Sequence, residues 1–223
     1  MTVPLVLATF LLFIVCDYFL NRRKAVNMVL AEAPQASPTE PVDGYVHGVL
    51  VPPHLGYHFG HSWLLRERKG LVRVGADEFA AALAGKIDAI ELPKPGTWVR
   101  QGQKFLTLIR NGQKTEMVSP TEGEITAVNT DLISNPTLLR QDPYGKGWLM
   151  SIHVPDEENT GRNLVPRLLV KDWMRQAVES LYGRQPALAG AVAADGGRPV
   201  EDILACVPGA DWTGITREFF LTE

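Results

Sequence analysis

Cysteine is scarce in this sequence, and neither sign of charge dominates it. The 223 residues include two cysteines, Cys16 and Cys206, whose wide separation indicates neither a disulfide framework nor a zinc site. A formal net charge of −3 leaves no basic surface of the kind that nucleic acid requires. With 45% hydrophobic and 21% charged residues, the composition is that of a globular chain. We therefore expect a folded protein that does not bind nucleic acid.

Two patterns resemble ligand-binding motifs, but their surroundings favour a simpler interpretation. The spacing of His54, His58 and His61 would suit metal ligands on a helix, yet the neighbouring prolines and glycines predict no helix there. Gly145-Lys146-Gly147 lacks the following helix with a Lys-Ser/Thr pair that a phosphate loop needs. No local arrangement joins a nucleophile to a base. We therefore predict a protein that is not an enzyme and that holds no metal.

The longest apolar run lies at the amino terminus, from Val3 to Leu20, interrupted only by Asp17. Its length is close to the ~20 residues that a helix needs to span a bilayer. The basic residues Arg22–Lys24 follow this run, whereas a cleaved signal peptide carries its basic residues before it. We predict a single-pass transmembrane anchor over residues 1–24 in preference to a signal peptide. By the positive-inside rule, the domain after the anchor lies in the cytoplasm.

The strongest local signal in the rest of the chain is a β-hairpin. Asn111-Gly112 is the preferred dipeptide for a type I′ turn, and runs of strand-forming residues flank it. The pattern predicts strands at Leu106–Arg110 and Lys114–Val118. Loops rich in proline and glycine lie on either side, at 93–96 and 119–123.

The order of motifs around this hairpin resembles that of the H-protein of the glycine cleavage system, and the resemblance covers roughly residues 57–154. The matching motifs are His61-Ser62-Trp63, Val74-Gly75-Ala76-Asp77, Leu92-Pro93 with Gly96, Gly102-Gln103-Lys104-Phe105, Ser119-Pro120 with Gly123-Glu124-Ile125, and Asp142-Pro143-Tyr144-Gly145-Lys146-Gly147-Trp148-Leu149. The resemblance implies a mainly β fold, a lipoyl-domain-like barrel-sandwich hybrid with short helices. It also implies a carrier and not a catalyst.

The sequence departs from the family at the hairpin tip. The family's tip reads Glu-Ser-x-Lys, and its lysine carries the lipoyl arm. Ungapped counting from Phe105 and from Ser119 places Ile109 at the glutamate and Gly112 at the lysine. Glycine has no amine to form the lipoyl amide, so we expect no cofactor. Lys114 is the nearby substitute, but its two-residue offset moves it down the strand, and we interpret it as a solvated lysine.

The remaining elements follow from periodicity and turn residues. Residues 45–57 are expected to be extended and not helical. The other predicted elements are a hairpin of Trp63–Arg66 and Leu71–Val74 around Lys69-Gly70, a helix at Ala76–Ala84, strands at Ile87–Leu92, Glu124–Val128 and Trp148–Val154, and helices at Asn163–Tyr182, Val200–Val207 and Asp211–Phe220.

These patterns divide the chain into six parts. A linker at 25–44 joins the anchor to an H-protein-like domain at 45–156, followed by a helical extension at 157–184, a flexible linker at 185–198 and a C-terminal helical tail at 199–223. We expect the apolar stripe of the extension, which ends at Gly183, to pack on its own domain. Trp212, Phe219 and Phe220 are expected to be exposed in the tail as an element for docking a protein partner.

Three functions are compatible with this organisation. The first is a membrane-anchored H-protein-like module without lipoyl attachment that serves as a non-catalytic binding or scaffold subunit at the cytoplasmic face. Its partners would be the membrane, through Val3–Leu20, and proteins, through the lipoyl-type domain or the tail. The second is a lipoyl carrier, an aminomethyl shuttle, that uses Lys114. The third is a secretion-type periplasmic adaptor. Against it, such adaptors have long helices inserted at the hairpin, and Arg22–Lys24 predict the opposite side of the membrane.

Overall fold

The computed structural model describes residues 44–184, 202–204 and 209–222. This part of the chain is mainly β with short helices, as the sequence predicts. Its strands pair antiparallel and form three sheets. They are β1 Tyr45–Val46, β2 Val49–Leu50, β3 Gly56–Tyr57, β4 Ser62–Arg68, β5 Leu71–Ala76, β6 Ala89–Glu91, β7 Trp98–Val99, β8 Lys104–Arg110, β9 Gln113–Val118, β10 Gly123–Val128 and β11 Met150–His153.

The described helices are short apart from one. They are α1 Glu78–Ala84, α2 Thr130–Ser134, α3 Leu138–Gln141, α4 Glu157–Arg162, a 3₁₀ turn at Arg167–Leu169, α5 Val170–Arg184 and α6 Trp212–Phe219.

The largest sheet has the strand order β3-β4-β5-β11-β10-β7. Its β4–β5 hairpin turns at Lys69-Gly70 as predicted, and Gly70 has the positive φ of 72° that glycine adopts without a Cβ clash. Strand β11 pairs with β5 on one side and β10 on the other. It therefore joins the β4–β5 hairpin to β10 and β7 in one sheet. Trp63 and Ile152 are completely buried in its core.

The second sheet has the order β6-β8-β9 and contains the predicted type I′ hairpin. Leu106 and Leu108 on β8 and Met117 on β9 are at most 1% exposed, so one face of the hairpin belongs to the core. Strands β6 and β9 are the two edges of this sheet. The small sheet β1–β2 confirms that the segment after Gly44 is extended.

Helix α1 begins two residues later than the sequence predicts. Asp77 lies outside the helix as its N-cap, and its carboxylate accepts a hydrogen bond of 2.8 Å from the backbone N–H of Ala80. An N-cap aspartate satisfies a helix N–H that has no intrahelical partner. The helix ends at Gly85, whose φ is 67°. The alanine-rich body of α1 is buried against the sheets.

Helix α5 packs on its own domain, as its apolar stripe predicts, but its bounds differ. Residues 163–166 are not helical, because Pro166 disfavours the helical conformation of the residue before it. A 3₁₀ turn follows, and the α-helix runs from Val170 through Gly183 to Arg184, so Gly183 does not end it. Met174 and Leu181 are completely buried and fix the helix to the domain.

The prediction that Trp212, Phe219 and Phe220 form an exposed docking element is wrong. Their exposed fractions are 5%, 9% and 0%. Helix α6 turns this apolar side inward, and the ring of Phe219 lies 5.2 Å from that of Phe79 on α1. The tail is therefore part of the folded domain.

Several predicted segments lie outside the described residues. These are the anchor at 1–24, the linker at 25–43, the linker at 185–198, and all of the helix Val200–Val207 except residues 202–204. Within the described ranges, no helix has both the length and the apolar character needed to cross a bilayer.

Candidate functional site

The apex of the β8–β9 hairpin is a two-residue turn. Arg110 pairs with Gln113, which leaves Asn111 and Gly112 as the loop, with φ of 49° and 75°. A type I′ turn needs positive φ at both central residues, and Asn-Gly adopts it readily. Among the described atoms, none outside the turn lies within 4 Å of the position that a Cβ on Gly112 would occupy. The apex is open, and neither of its residues carries an ammonium group.

Two hydrogen bonds fasten the apex to Asp88, the residue before β6. The N–H of Asn111 donates to a carboxylate oxygen of Asp88 at 2.6 Å. The N–H of Asp88 donates to the carbonyl of Ile109 at 2.7 Å. The side chain and the backbone of Asp88 therefore both hold residues at the start of the turn. These bonds restrict bending of the hairpin tip.

The side chain of Arg110 ties the hairpin to two other segments. Its guanidinium donates to the carbonyl of Ala84 at 3.1 Å and forms an ion pair of 2.8 Å with Asp202. The two side chains are 14% and 18% exposed. Because Ala84 ends α1, the cation also lies beside the carbonyl end of that helix. The C-terminal segment thus reaches the hairpin next to its apex.

A surface cavity of about 390 Å³ lies beside this ion pair. Its polar lining combines the cations Lys86 and Arg140 with Thr137, Gln141 and Asp202. The carboxylate of Asp202 is shared with Arg110, so the cavity wall and the hairpin are linked through one residue.

Lys114 lies on the opposite side of the hairpin from the C-terminal segment. It pairs across the sheet with Ile109, and its ammonium forms a 3.3 Å ion pair with Glu91 on β6. Both side chains are more than half exposed. This agrees with the interpretation of Lys114 as a solvated strand lysine, and it also leaves the amine accessible.

Helix α6 covers the other face of β9. The hydroxyl of Thr216 donates to the hydroxyl of Thr115 at 2.8 Å, and both residues are at most 1% exposed. The indole N–H of Trp212 donates to the carbonyl of Ala84 at 3.1 Å. An uncovered edge strand invites pairing with another chain, and packing by a helix lowers that exposure. The hairpin therefore has one covered face and one open face.

Comparison with known proteins matches this domain to a family. A family model for the glycine cleavage H-protein matches residues 55–175. The glycine cleavage system H protein of Mycobacterium leprae is 37% identical over 106 residues, which are 48% of this chain and 80% of that protein.

The chain belongs to the glycine cleavage H-protein family. The H protein of Bifidobacterium longum is 32% identical over 108 residues, which are 48% of this chain and 78% of that protein. The crystal structure of an H protein from Mycobacterium marinum aligns with a TM-score of 0.49 and 25% identity, and it covers 56% of this chain and 98% of its own. The segments before residue 55 and after residue 175 lie outside the family match.

The three histidines that sequence spacing singled out make separate contacts in this H-protein domain. His54 is exposed in a turn, whereas the Nδ1 of His58 accepts a hydrogen bond of 3.1 Å from the N–H of Gly60. Burial and, to a smaller degree, the charge of His61 lower the pKa of His58. His61 is 2% exposed, and its Nδ1 lies 2.9 Å from the carboxylate of Asp77. Among the described side chains, no group of three or more His, Cys, Asp or Glu residues could hold a metal ion.

Sequence reasoning missed the residues that connect the hairpin to the tail. Arg110 and Asp202 are 92 residues apart, and Thr115 and Thr216 are 101 apart. Their residue types are common on surfaces, so local pattern gives no signal for either contact. By contrast, Asn111 and Gly112 have a local signal in their dipeptide, and the sequence predicts them correctly as a turn.

Proposed function

We propose that this member of the H-protein family is a membrane-anchored module without lipoyl attachment, which acts as a non-catalytic binding or scaffold subunit at the cytoplasmic face. The observation that carries the proposal is the hairpin apex of Asn111 and Gly112. When the hairpin is aligned with the family's tip motif by ungapped counting, Gly112 stands at the position of the lipoyl lysine. A lipoyl arm is joined through an amide to a primary amine, and glycine supplies none.

The pairing of the hairpin supports this register. Arg110 faces Gln113 across the turn, so the apex contains two residues and no inserted loop. A one-residue shift would move every side chain of β9 to the other face of the sheet and would exchange buried Thr115 and Met117 for exposed neighbours. The core therefore opposes a one-residue shift, and in the observed pairing Lys114 lies opposite Ile109, two residues beyond Gly112.

The contacts of the hairpin give it a fixed surface. Asp88 holds the apex backbone, Arg110 is paired with Asp202, and α6 packs over Thr115. A rigid site with few degrees of freedom to lose is suited to binding a partner. The module would then hold a protein partner near the membrane through its open face.

A gain-of-modification experiment tests the apex assignment. The full chain is co-expressed with an H-protein lipoylating system and analysed by intact mass as wild type, Gly112→Lys, Lys114→Arg and the double variant. We expect the wild type and Lys114→Arg to stay unmodified, and both proteins with the Gly112→Lys substitution to gain a lipoyl group. The open space around Gly112 accommodates the new side chain, although its positive φ makes the turn less favourable.

The alternative function is a lipoyl carrier that uses Lys114, and the exposure of its ammonium favours it. A lipoyl adduct on the wild type that disappears in Lys114→Arg would establish this alternative and defeat the proposal. The periplasmic adaptor has less support, because the two-residue turn contains no inserted helices.

The membrane part of the proposal rests on the apolar segment Val3–Leu20 and the basic residues after it. Flotation of the full chain with vesicles in alkaline carbonate tests the anchor. Protease treatment of spheroplasts tests its direction. We expect the protein to float and the domain to be protected, whereas digestion from outside the cell would reverse the topology.

A further inference from the structure

Large apolar side chains that remain exposed are concentrated in one area of the described domain. Seven such side chains are more than about two fifths exposed. They are Tyr45, Phe59, Trp98, Ile133, Leu168, Leu169 and Leu221. Scattered exposed apolar residues are normal, whereas a cluster indicates a contact surface.

Three separate segments bring four of these residues together. Val165 donates its N–H to the carbonyl of Tyr57 at 2.7 Å, which places the following 3₁₀ turn beside the loop that contains Phe59. The ring of Phe59 lies 6.3 Å from that of Trp173, and Trp173 is one helical turn after Leu169. The turn and the loop therefore form a continuous surface.

The C-terminal end of α6 completes this surface. A Cβ built on Gly60 would lie 3.1 Å from the carbonyl oxygen of Phe220, so the chain passes directly over the loop. Leu221, the next residue, is 52% exposed, and Leu168 is 93% exposed at the tip of its turn. We name Phe59, Leu168, Leu169 and Leu221, with Trp173 among them, the leucine–aromatic face.

Basic residues adjoin the most exposed leucines. Arg167 immediately precedes Leu168, and Lys171 follows Leu169 by two residues. The nearby Asp172 is in an ion pair of 2.6 Å with Arg175, so its charge is compensated. Leucine and aromatic side chains bordered by arginine and lysine are the composition that binds the interface of an anionic bilayer.

The length of chain between the apolar segment and the described domain also points to a bilayer as the surface that this face contacts. The apolar segment ends at Leu20, and the described domain begins at Gly44. Even when fully extended, the 23 residues from 21 to 43 can span no more than about 80 Å. The chain enters the domain beside α5, because His47 after β1 lies 3.8 Å from Glu179 of that helix. An anchored domain is thus tethered to the lipid surface.

We infer that the leucine–aromatic face rests on the anionic leaflet that holds the anchor. This inference rests on the proposed membrane anchoring and adds a second, peripheral contact to it. Tethering raises the effective concentration of the face at the surface, so a small patch suffices. The contact fixes which side of the domain faces lipid and which side remains available to protein partners.

Site-specific fluorescence on the full chain tests this contact. In a background of Cys16→Ala and Cys206→Ala, an environment-sensitive probe is attached to Leu168→Cys or, as the matched control, to Ile133→Cys. Ile133 is also an exposed apolar residue, 43% exposed, but it lies on α2. The protein is reconstituted in phosphatidylcholine vesicles with and without phosphatidylglycerol, and flotation verifies insertion. Lipids with brominated upper acyl chains report contact with the bilayer.

We expect brominated lipid to quench the probe at residue 168 and not the probe at residue 133, with more quenching when phosphatidylglycerol is present. Arg167→Gln should lower the equilibrium constant of the contact about fivefold, the effect of one basic residue near an anionic surface. High salt should have the same effect in the parent protein.

The other outcomes overturn the inference in distinguishable ways. Equal or absent quenching at the two positions in vesicles that carry the protein refutes the contact and leaves the anchor intact. The probe at residue 168 could instead become less exposed to solvent as the protein density in the vesicles rises, without quenching by brominated lipid. That result means that a second copy of the chain covers the face. Protein that fails to float refutes the anchor and the contact together.

Discussion

The two faces of the β8–β9 hairpin differ sharply although they belong to the same strands. On the covered face, Thr115 is 1% exposed and is hydrogen-bonded to Thr216 of α6. On the open face, Lys114 and Glu91 form an ion pair with both side chains more than half exposed. The difference shows that α6, which lies outside the family match, supports one face of the hairpin and leaves the other open.

The same contrast exists between the base and the apex of the hairpin. The base is packed with core side chains such as Leu108 and Met117, whereas the apex at Gly112 has open space around it. The core side chains are therefore in the base, whereas the apex is constrained by its backbone, because positive φ at Asn111 and Gly112 favours Asn-Gly. Loss of the lipoyl lysine, as we propose it, would leave the fold unaffected.

The largest expected effect comes from breaking the covered face at the end of α6. Phe220→Ala should lower the free energy of unfolding by about 3–5 kcal/mol, because a completely buried aromatic ring leaves a cavity. Its neighbour Leu221 is 52% exposed, and Leu221→Ala should change stability by about 0.5 kcal/mol or less. Urea unfolding followed by tryptophan fluorescence measures both. Equal effects would mean that the tail is not part of the cooperative unit.

A smaller effect distinguishes a half-buried ion pair of the hairpin from an exposed one. Arg110 and Asp202 are less than a fifth exposed, and a double-mutant cycle with Arg110→Met and Asp202→Asn should give a coupling of roughly 1.5–3 kcal/mol. The exposed pair of Lys114 and Glu91 should give roughly 0–1 kcal/mol, because water screens it. The second value should fall in high salt. Couplings of equal size would remove the distinction between the faces.

The smallest effect is a pH dependence from His58, in the loop that follows β3. Burial lowers the pKa of His58, so the unfolded chain takes up this proton at a higher pH than the folded one. The unfolded state then binds more protons as pH falls through the ordinary histidine range near ~6.5, and stability decreases toward acid. Protonation also removes Nδ1 as the acceptor for Gly60.

His58→Asn tests this dependence, since its amide oxygen can replace Nδ1 as an acceptor. The variant should lose less stability than the parent between about pH 7 and pH 5. His54→Asn, at an exposed position in the same region, serves as the control and should keep the parent's slope. A steeper slope in His58→Asn would reverse the assigned direction of the pKa shift.

The parts of the fold that the sequence predicts are those with local causes. Asn111-Gly112 specifies its own turn, Lys69-Gly70 specifies another, and alternating residues place the strands between them. The burial of Phe219 and Phe220 could not be predicted this way. An amphipathic tail helix has the same apolar stripe whether it packs on its own domain or on a partner.

The residues of the candidate site also differ in whether the local sequence identifies them. Gly112 and Lys114 are identifiable from the sequence because the resemblance to H-proteins sets their register. Arg110 and Asp202 are not, because their pairing depends on how the chain returns after α5. Pro166 explains one further difference, since its effect on Val165 delayed the start of the helical extension.

Intact-mass analysis of the full chain purified from its native host tests the central proposal most directly. Peptide mapping across Thr107–Glu122 should accompany it, because that peptide contains both Gly112 and Lys114. We predict an unmodified mass and an unmodified peptide from a host that lipoylates its other proteins. A lipoyl adduct on Lys114 would contradict the proposal and assign the protein to the carriers.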